Sequence, residues 1–287
     1  MISPAPARRR LSFRAGRSWS GRIGLGLAAA VVLVAVVGPL FAPHSPSELL
    51  GAPYQHPSGH PPLGTDFLGR DVLSRVLWGG RTVIALAGAA TLLAYLVGVP
   101  IGLLAGVSRS FVDPLLMRIM DVFLAFPPII LLLVLATGVG PSPWVLVVGV
   151  AITHVPGISR IVRTATLEVS VRGYVEAAVA RGERLTFLLR REILPNIAAP
   201  ILADAGIRLT GSILLVAAVN FLGLGLQPPA ADWALMISEN RGGLTLQAWA
   251  SVVPIVLIAA LTIAVNLVAD AYARGLGQST ERARIVR

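Results

Sequence analysis

The side chains that could do chemistry are few, and what is missing narrows the field first. None of the 287 residues is cysteine, which excludes a disulfide, a thiolate nucleophile, an Fe–S cluster and a Cys-zinc site. All 24 basic residues are arginine. Without lysine there is no phosphate loop of the Gly-x-x-x-x-Gly-Lys type and no Schiff base, so ATP, if it drives this protein, binds another chain. His44, His56 and His60 fall at irregular spacing in a Pro- and Ser-rich stretch without an acidic cluster, which reads as solvated loop rather than a metal site. No catalytic set and no metal site is expected. The polar residues that remain sit in apolar surroundings. Asp204 and Arg208, four apart, pair on one helix face as a structural ion pair. His154 beside Pro156 reads as hydrogen-bonded packing rather than a proton relay, and Asn220 and Asn266 either line a path or bridge helices. Asn220, Asp204, Arg208 and His154 are the side chains that could instead line a polar path.

These residues must be held by a membrane-embedded frame. The chain is 55% hydrophobic and only 13% charged, with a mean hydropathy of +0.78, whereas soluble domains carry about a quarter charged residues. Six apolar stretches are long enough for a bilayer core of about 30 Å. They run Ile23 to Ala42, Thr82 to Ser108, from near Met120 to Gly138, Pro143 to about Ser159, from after Pro195 to about Leu226, and Ala248 to Ala269. Each is read as a helix, because lipid forces backbone groups to pair within a span. Pro156-Gly157 is expected to interrupt the fourth.

Arginine placement orients the bundle. Nineteen arginines fall in residues 1–22, the loop after the second stretch, residues 160–196 and the C-terminal tail, and four in the opposite loops. The positive-inside rule then puts both termini in the cytoplasm. The charge of +10 is thus a topology signal and argues against nucleic acid. A twenty-residue first stretch is longer than a signal-peptide core and is expected to be an uncleaved helix. The expected organisation is an Arg-rich tail (1–22), a first helix (23–42), an outer loop (43–81), a five-helix core (82–272) and a second tail (273–287). Within the loop, Asp66 to Trp78 is expected to be an interfacial amphipathic helix. Gly98, Gly102 and Gly106 form a small-xxx-small face, favouring close packing inside the chain over a dimer contact.

Residues 160–196 are too long for an idle connector. They contain Glu176-Ala177-Ala178, then Arg181-Gly182, and later Glu192-Ile193-Leu194-Pro195. This reads as a helix with small residues for close docking, a glycine break and a second helix stopped by proline.

The spacing from Glu176 through Gly182 to Leu194-Pro195 resembles the cytoplasmic motif of ABC importer permeases. Glu192 occupies the usual isoleucine slot with Ile193 one place later, a shift that looks like the peptide-importer branch. Gly64-Thr65-Asp66-Phe67-Leu68-Gly69-Arg70-Asp71-Val72-Leu73-Ser74-Arg75 and Asn220-Phe221-Leu222-Gly223-Leu224-Gly225-Leu226-Gln227-Pro228-Pro229, followed by Asp232-Trp233, resemble two further stretches of that branch, and the likeness spans Gly64 to Asp270. It most resembles the C-type permease subunit of a dipeptide/oligopeptide importer. That resemblance implies an all-α integral membrane protein with six transmembrane helices and the type I ABC importer permease fold. It implies a homologous permease, two ATPase subunits holding ATP and Mg, an extracytoplasmic binding protein, and residence in a bacterial inner membrane. By the same resemblance Glu176, Ala177, Ala178, Arg181, Gly182, Leu194 and Pro195 couple the chain to an ATPase. The alternative is a stand-alone secondary transporter or channel, with a broken-helix site at Pro156-Gly157; it predicts purification without ATPase subunits.

Overall fold

Most of the chain's apolar stretches become long helices. The computed structural model describes residues 19–108 and 110–285, the last eleven of them as helix backbone only. The N-terminal arginines before Trp19 lie outside the described residues. In chain order the helices are α1 (Trp19–Val37), α2 (Val72–Val107), α3 (Val112–Leu124), α4 (Pro128–Val139), α5 (Pro143–Ser170), α6 (Gly173–Ala180), α7 (Leu185–Phe187), α8 (Leu194–Phe221), α9 (Trp233–Asn240) and α10 (Trp249–Ile285). Among the described residues there is no β-sheet; two isolated bridges, Leu49 with Arg70 and Thr65 with Asp71, knit the loop before α2. Five helical stretches are long and apolar enough to cross a membrane, and α3 with α4 makes a sixth if the bent pair counts as one span.

Three expectations are corrected. The third stretch is not one helix, because α3 and α4 meet at 81°. Pro127 is extended and Pro128 opens α4, and the residue before a proline is pushed out of the helical region. Pro156-Gly157 does not interrupt the fourth stretch, and α5 runs through both to Ser170. Asp66 to Trp78 is not an interfacial amphipathic helix. Residues 66–71 are loop, α2 starts at Val72 under an Asp71 cap that accepts from Leu73 and Ser74 backbone N–H, and Asp66, Arg70 and Arg75 are buried. Residues 273–285 are helical, continuing α10.

α2 and α5 form the spine. Their contact is the glycine seam, and it lies inside the chain. A Cβ on Gly98 would come within 2.8 Å of Ile158 Cγ2, on Gly102 within 2.6 Å of Val162 Cβ, and on Gly106 within 2.5 Å of Thr166 Cβ. Ser159 Oγ adds a hydrogen bond to the Gly98 carbonyl at 3.2 Å. Backbones approach this closely where lipid supplies no hydrophobic drive between helices. Around the seam the core divides in two. One part gathers Val31, Val83, Val150, Val216 and Trp233 toward the α9 end, and the other Ala94, Ile158, Val162, Ile193 and Ile197 toward the α6 end.

Candidate functional site

The segment joining α5 to α8 is built by one turn. Glu183 N–H bonds the Ala178 carbonyl at 3.2 Å and Gly182 N–H the Val179 carbonyl at 2.9 Å, with Gly182 at φ +75°. This is the paired bond set of a Schellman cap. A left-handed residue there steers the chain out of α6, and the sequence supplies glycine at that position. Nothing lies within 4 Å of where a Gly182 side chain would start. Val175 and Ala178 face inward, while Glu176, Ala177, Val179, Ala180 and Arg181 face out. Ala178 is 0% exposed, so it packs inside this chain and cannot itself be a docking contact, contrary to the sequence expectation. Ala177 keeps that role open.

The second half of the segment also departs from expectation. Pro195 does not stop a helix. Residues 185–221 are helical throughout, with Leu188–Ile193 wound as a π-helix that closes on a Leu194 N–H to Leu189 carbonyl bond. A π-turn widens the spiral by one residue, which relieves the clash a proline ring makes with the carbonyl four residues back. Leu194 is half-buried and Pro195 exposed at the start of α8. Ion pairs brace this end, with Arg163 meeting Asp113 through Nε at 2.5 Å and Arg160 meeting Asp121.

Three of the four path candidates converge in the membrane core. Arg208 Nε donates to both Asp204 oxygens at 3.2 Å, and Tyr95 Oη donates to Asp204 Oδ2 at 2.6 Å. The guanidinium lies against Gly157, where a Cβ would sit 2.5 Å from Nη2, and His154 faces Gly211, where a Cβ would sit 3.0 Å from Cε1. Each bulky polar side chain thus seats on a glycine of the facing helix. Asn220 stands apart. It is fully buried, its Nδ2 donates to Asp232 Oδ1 at 3.1 Å, and its Oδ1 accepts from Leu226 N–H at 3.0 Å. It pins the turn after α8. Asn266 accepts from Thr210 Oγ1 at 3.3 Å and so bridges α8 and α10.

The opposite end carries side-chain contacts to which sequence reasoning gave no role. Arg75 Nη1 meets Asp66 Oδ2 at 2.7 Å and its Nη2 meets Glu239 Oε2 at 2.9 Å. Arg70 meets the same two carboxylates at 2.7 and 3.1 Å. Phe67 N–H bonds Asn240 Oδ1 at 2.9 Å, Trp233 Nε1 bonds the Val76 carbonyl at 2.8 Å, and Gln247 bonds the Leu63 carbonyl. The loop before α2 and helix α9 are thereby locked into one cap. The signal available in sequence was the balance of Asp66 and Glu239 against Arg70 and Arg75 in otherwise weakly charged outer loops.

Burial sets two acids of this cap apart. It pushes Asp232, which caps α9, up to about 6 despite the Leu235 N–H, Asn220 and Ala234 N–H donors. It pushes Glu239 up to about 7, beyond what Arg70 pulls back, and Asp66 adds to the rise. A raised carboxyl pKa means the folded form holds its proton longer than the unfolded one. The stability tied to Asp232 is complete below about pH 4, its ordinary range, and is lost as pH rises through about 6. Thermal melts of the purified chain should show a higher midpoint at pH 5 than at pH 8. Asp232→Asn, which keeps a cap acceptor, should flatten part of that slope; an unchanged slope would contradict the assignment.

These features meet known proteins at one point. Residues 98–281 match the family described as binding-protein-dependent transport system inner membrane component. The chain belongs to this family. It is 34% identical over 247 residues to a di/tripeptide transport system permease of Pseudomonas aeruginosa, covering 84% of this chain and 82% of the relative. A dipeptide transport permease of Haemophilus influenzae is 32% identical with 86% of each covered. A glutathione transport permease of Pectobacterium atrosepticum is 36% identical over 72% of this chain and 69% of its own length. Among solved structures, an inward-facing form of the MetNI methionine ABC transporter superposes with TM-score 0.57 at 21% identity, over 71% of this chain and 95% of that one. The architecture is the type I ABC importer permease fold, and this inner membrane component is a multi-pass membrane protein.

Proposed function

We propose that this permease is one half of the translocation unit of an ATP-driven importer for peptides or related small substrates. It works beside a homologous permease, two ATPase subunits that bind ATP and Mg, and an extracytoplasmic binding protein. The observation that carries the reading is the outward face of α6. Glu176, Ala177 and Arg181 stand free of their own chain's core beside a Schellman turn at Gly182, a firm projecting knob with small and charged residues for a partner cleft. The di/tripeptide, dipeptide and glutathione names of the relatives support a peptide-like cargo. Absence of lysine supports ATP binding on another chain. Transport is then alternating access, with ATPase closure moving α6 and rocking the helices above it. The alternative of a carrier working alone loses its best coupling carboxylate, since Asp204 is engaged by both Arg208 and Tyr95.

Co-expression with a second permease, the ATPase pair and the binding protein tests this reading. Proteoliposomes should accumulate labelled dipeptide only with ATP and binding protein present. Purification free of ATPase, with uptake driven by an ion gradient, would overturn it.

The orientation follows the arginine bias, with the α6 end and both termini cytoplasmic. A cysteine at Ser58 should react with an impermeant maleimide in intact cells, and one at Ser279 only after permeabilisation. The reverse pattern would invert the topology.

A further inference from the structure

We infer that the groove between α1, α8 and α10 seats an anionic phospholipid, in the leaflet at the α6 end. The groove measures about 450 Å³ and is walled by Leu25 and Ala28 from α1, Leu202 and Gly206 from α8, and Val268 and Tyr272 from α10. Its sides are closed by contact: Gly206 packs directly on Ala269, and α1 meets α10 at Gly24, where a Cβ would lie 2.7 Å from Leu267 Cβ. The slot runs about two helical turns, or about 10 Å along the helices, and its walls are apolar like an acyl chain.

Its end is what selects the occupant. Arg22, Leu25 and Ala28 recur at three-residue spacing, so Arg22 continues the groove wall beyond its apolar part. Across from it, Arg274 lies two residues past Tyr272 and is steadied by Ser20, to which its Nη2 donates at 2.9 Å. Both arginines are exposed. Trp19, 80% exposed at the same end, marks the level of the membrane–water boundary. Two guanidiniums at that level hold a phosphodiester through forked hydrogen bonds. They also repel the ammonium of a zwitterionic headgroup, so net negative lipid is favoured. The site depends on neither ATPase coupling nor cargo.

Native mass spectrometry of the delipidated full-length chain, titrated with phosphatidylglycerol or phosphatidylcholine of matched acyl chains, reads this directly. One phosphatidylglycerol should bind about tenfold or more tightly than phosphatidylcholine. Arg22→Gln with Arg274→Gln should erase the preference and leave phosphatidylcholine unchanged, while Ala28→Phe should weaken both lipids by filling the slot. Should the double variant not fold, raising salt on the unaltered chain should collapse the preference by screening. Equal binding of the two lipids, a preference that survives both the double variant and high salt, or full lipid occupancy in Ala28→Phe would each overturn the assignment. So would a second protein chain seated on the groove in the purified complex.

Discussion

Arg75→Met should destabilise the chain by about 3–5 kcal/mol, the largest loss expected from any single side chain outside the hydrophobic core. Arg75 is fully buried and bonds Asp66 at 2.7 Å, Glu239 at 2.9 Å and the Ala230 carbonyl at 3.2 Å. Methionine fills similar volume but leaves two carboxylates to share Arg70 in a dry site. Breaking one member of such a set exposes the others' desolvation cost, whereas replacing the whole set with apolar residues is often neutral. The outer cap should loosen first, since Glu239 lies on α9 and Asp66 on the loop. The measurement is a thermal melt in detergent alongside limited proteolysis of residues 43–70. Arg241→Met, at an exposed position, serves as the comparison and should shift stability by no more than about 0.5 kcal/mol. Equal melts for the two variants would show that the buried quartet does not hold the cap.

Gly182→Val should leave the protein inserted and folded yet cut uptake by about tenfold or more. The left-handed φ of +75° costs an ordinary residue about 1–2 kcal/mol, and a β-branched one more. No neighbour lies within 4 Å of the new side chain, so the strain is relieved by redirecting the chain after α6 rather than by unfolding. Gly182→Asn separates the two explanations, because asparagine tolerates this conformation. If the backbone path is what matters, asparagine should retain most transport and ATPase association. If bulk in a partner's cleft matters, asparagine and valine should fail together. Wild-type uptake in the valine variant would remove Gly182 from the coupling assignment. Ala178 is not a clean probe of docking, since a larger residue there meets its own chain first.

How far sequence reached depended on the range of the forces involved. Long apolar runs announce α1, α2, α8 and α10, because the bilayer imposes a length and a polarity that a single stretch satisfies alone. The Gly182 turn was equally local, set by one residue's conformational freedom. Proline misled at three sites, in two opposite directions. Pro127-Pro128 breaks a stretch that hydropathy joins, while Pro156 and Pro195 sit inside helices that tertiary packing and a π-turn keep continuous. The cap was illegible for a different reason. Arg70 and Glu239 are 169 residues apart, and no local pattern states that their charges will meet out of water. Tyr95 was missed likewise, since only the fold brings it to Asp204.

The 36 residues of α2 form one unbroken helix, about 54 Å long and nearly twice the hydrocarbon thickness. Arg75 fixes its first turns to the cap, and Gly98, Gly102 and Gly106 fix its last turns to α5, the helix that leads into α6. A rod of that length is a lever arm. A tilt of about 5° at one end displaces the other by about 5 Å, with no side chain along the way needing to change its rotamer. A load applied at the cap is therefore felt at α6 as displacement, and a pull at α6 returns to the cap by the same route.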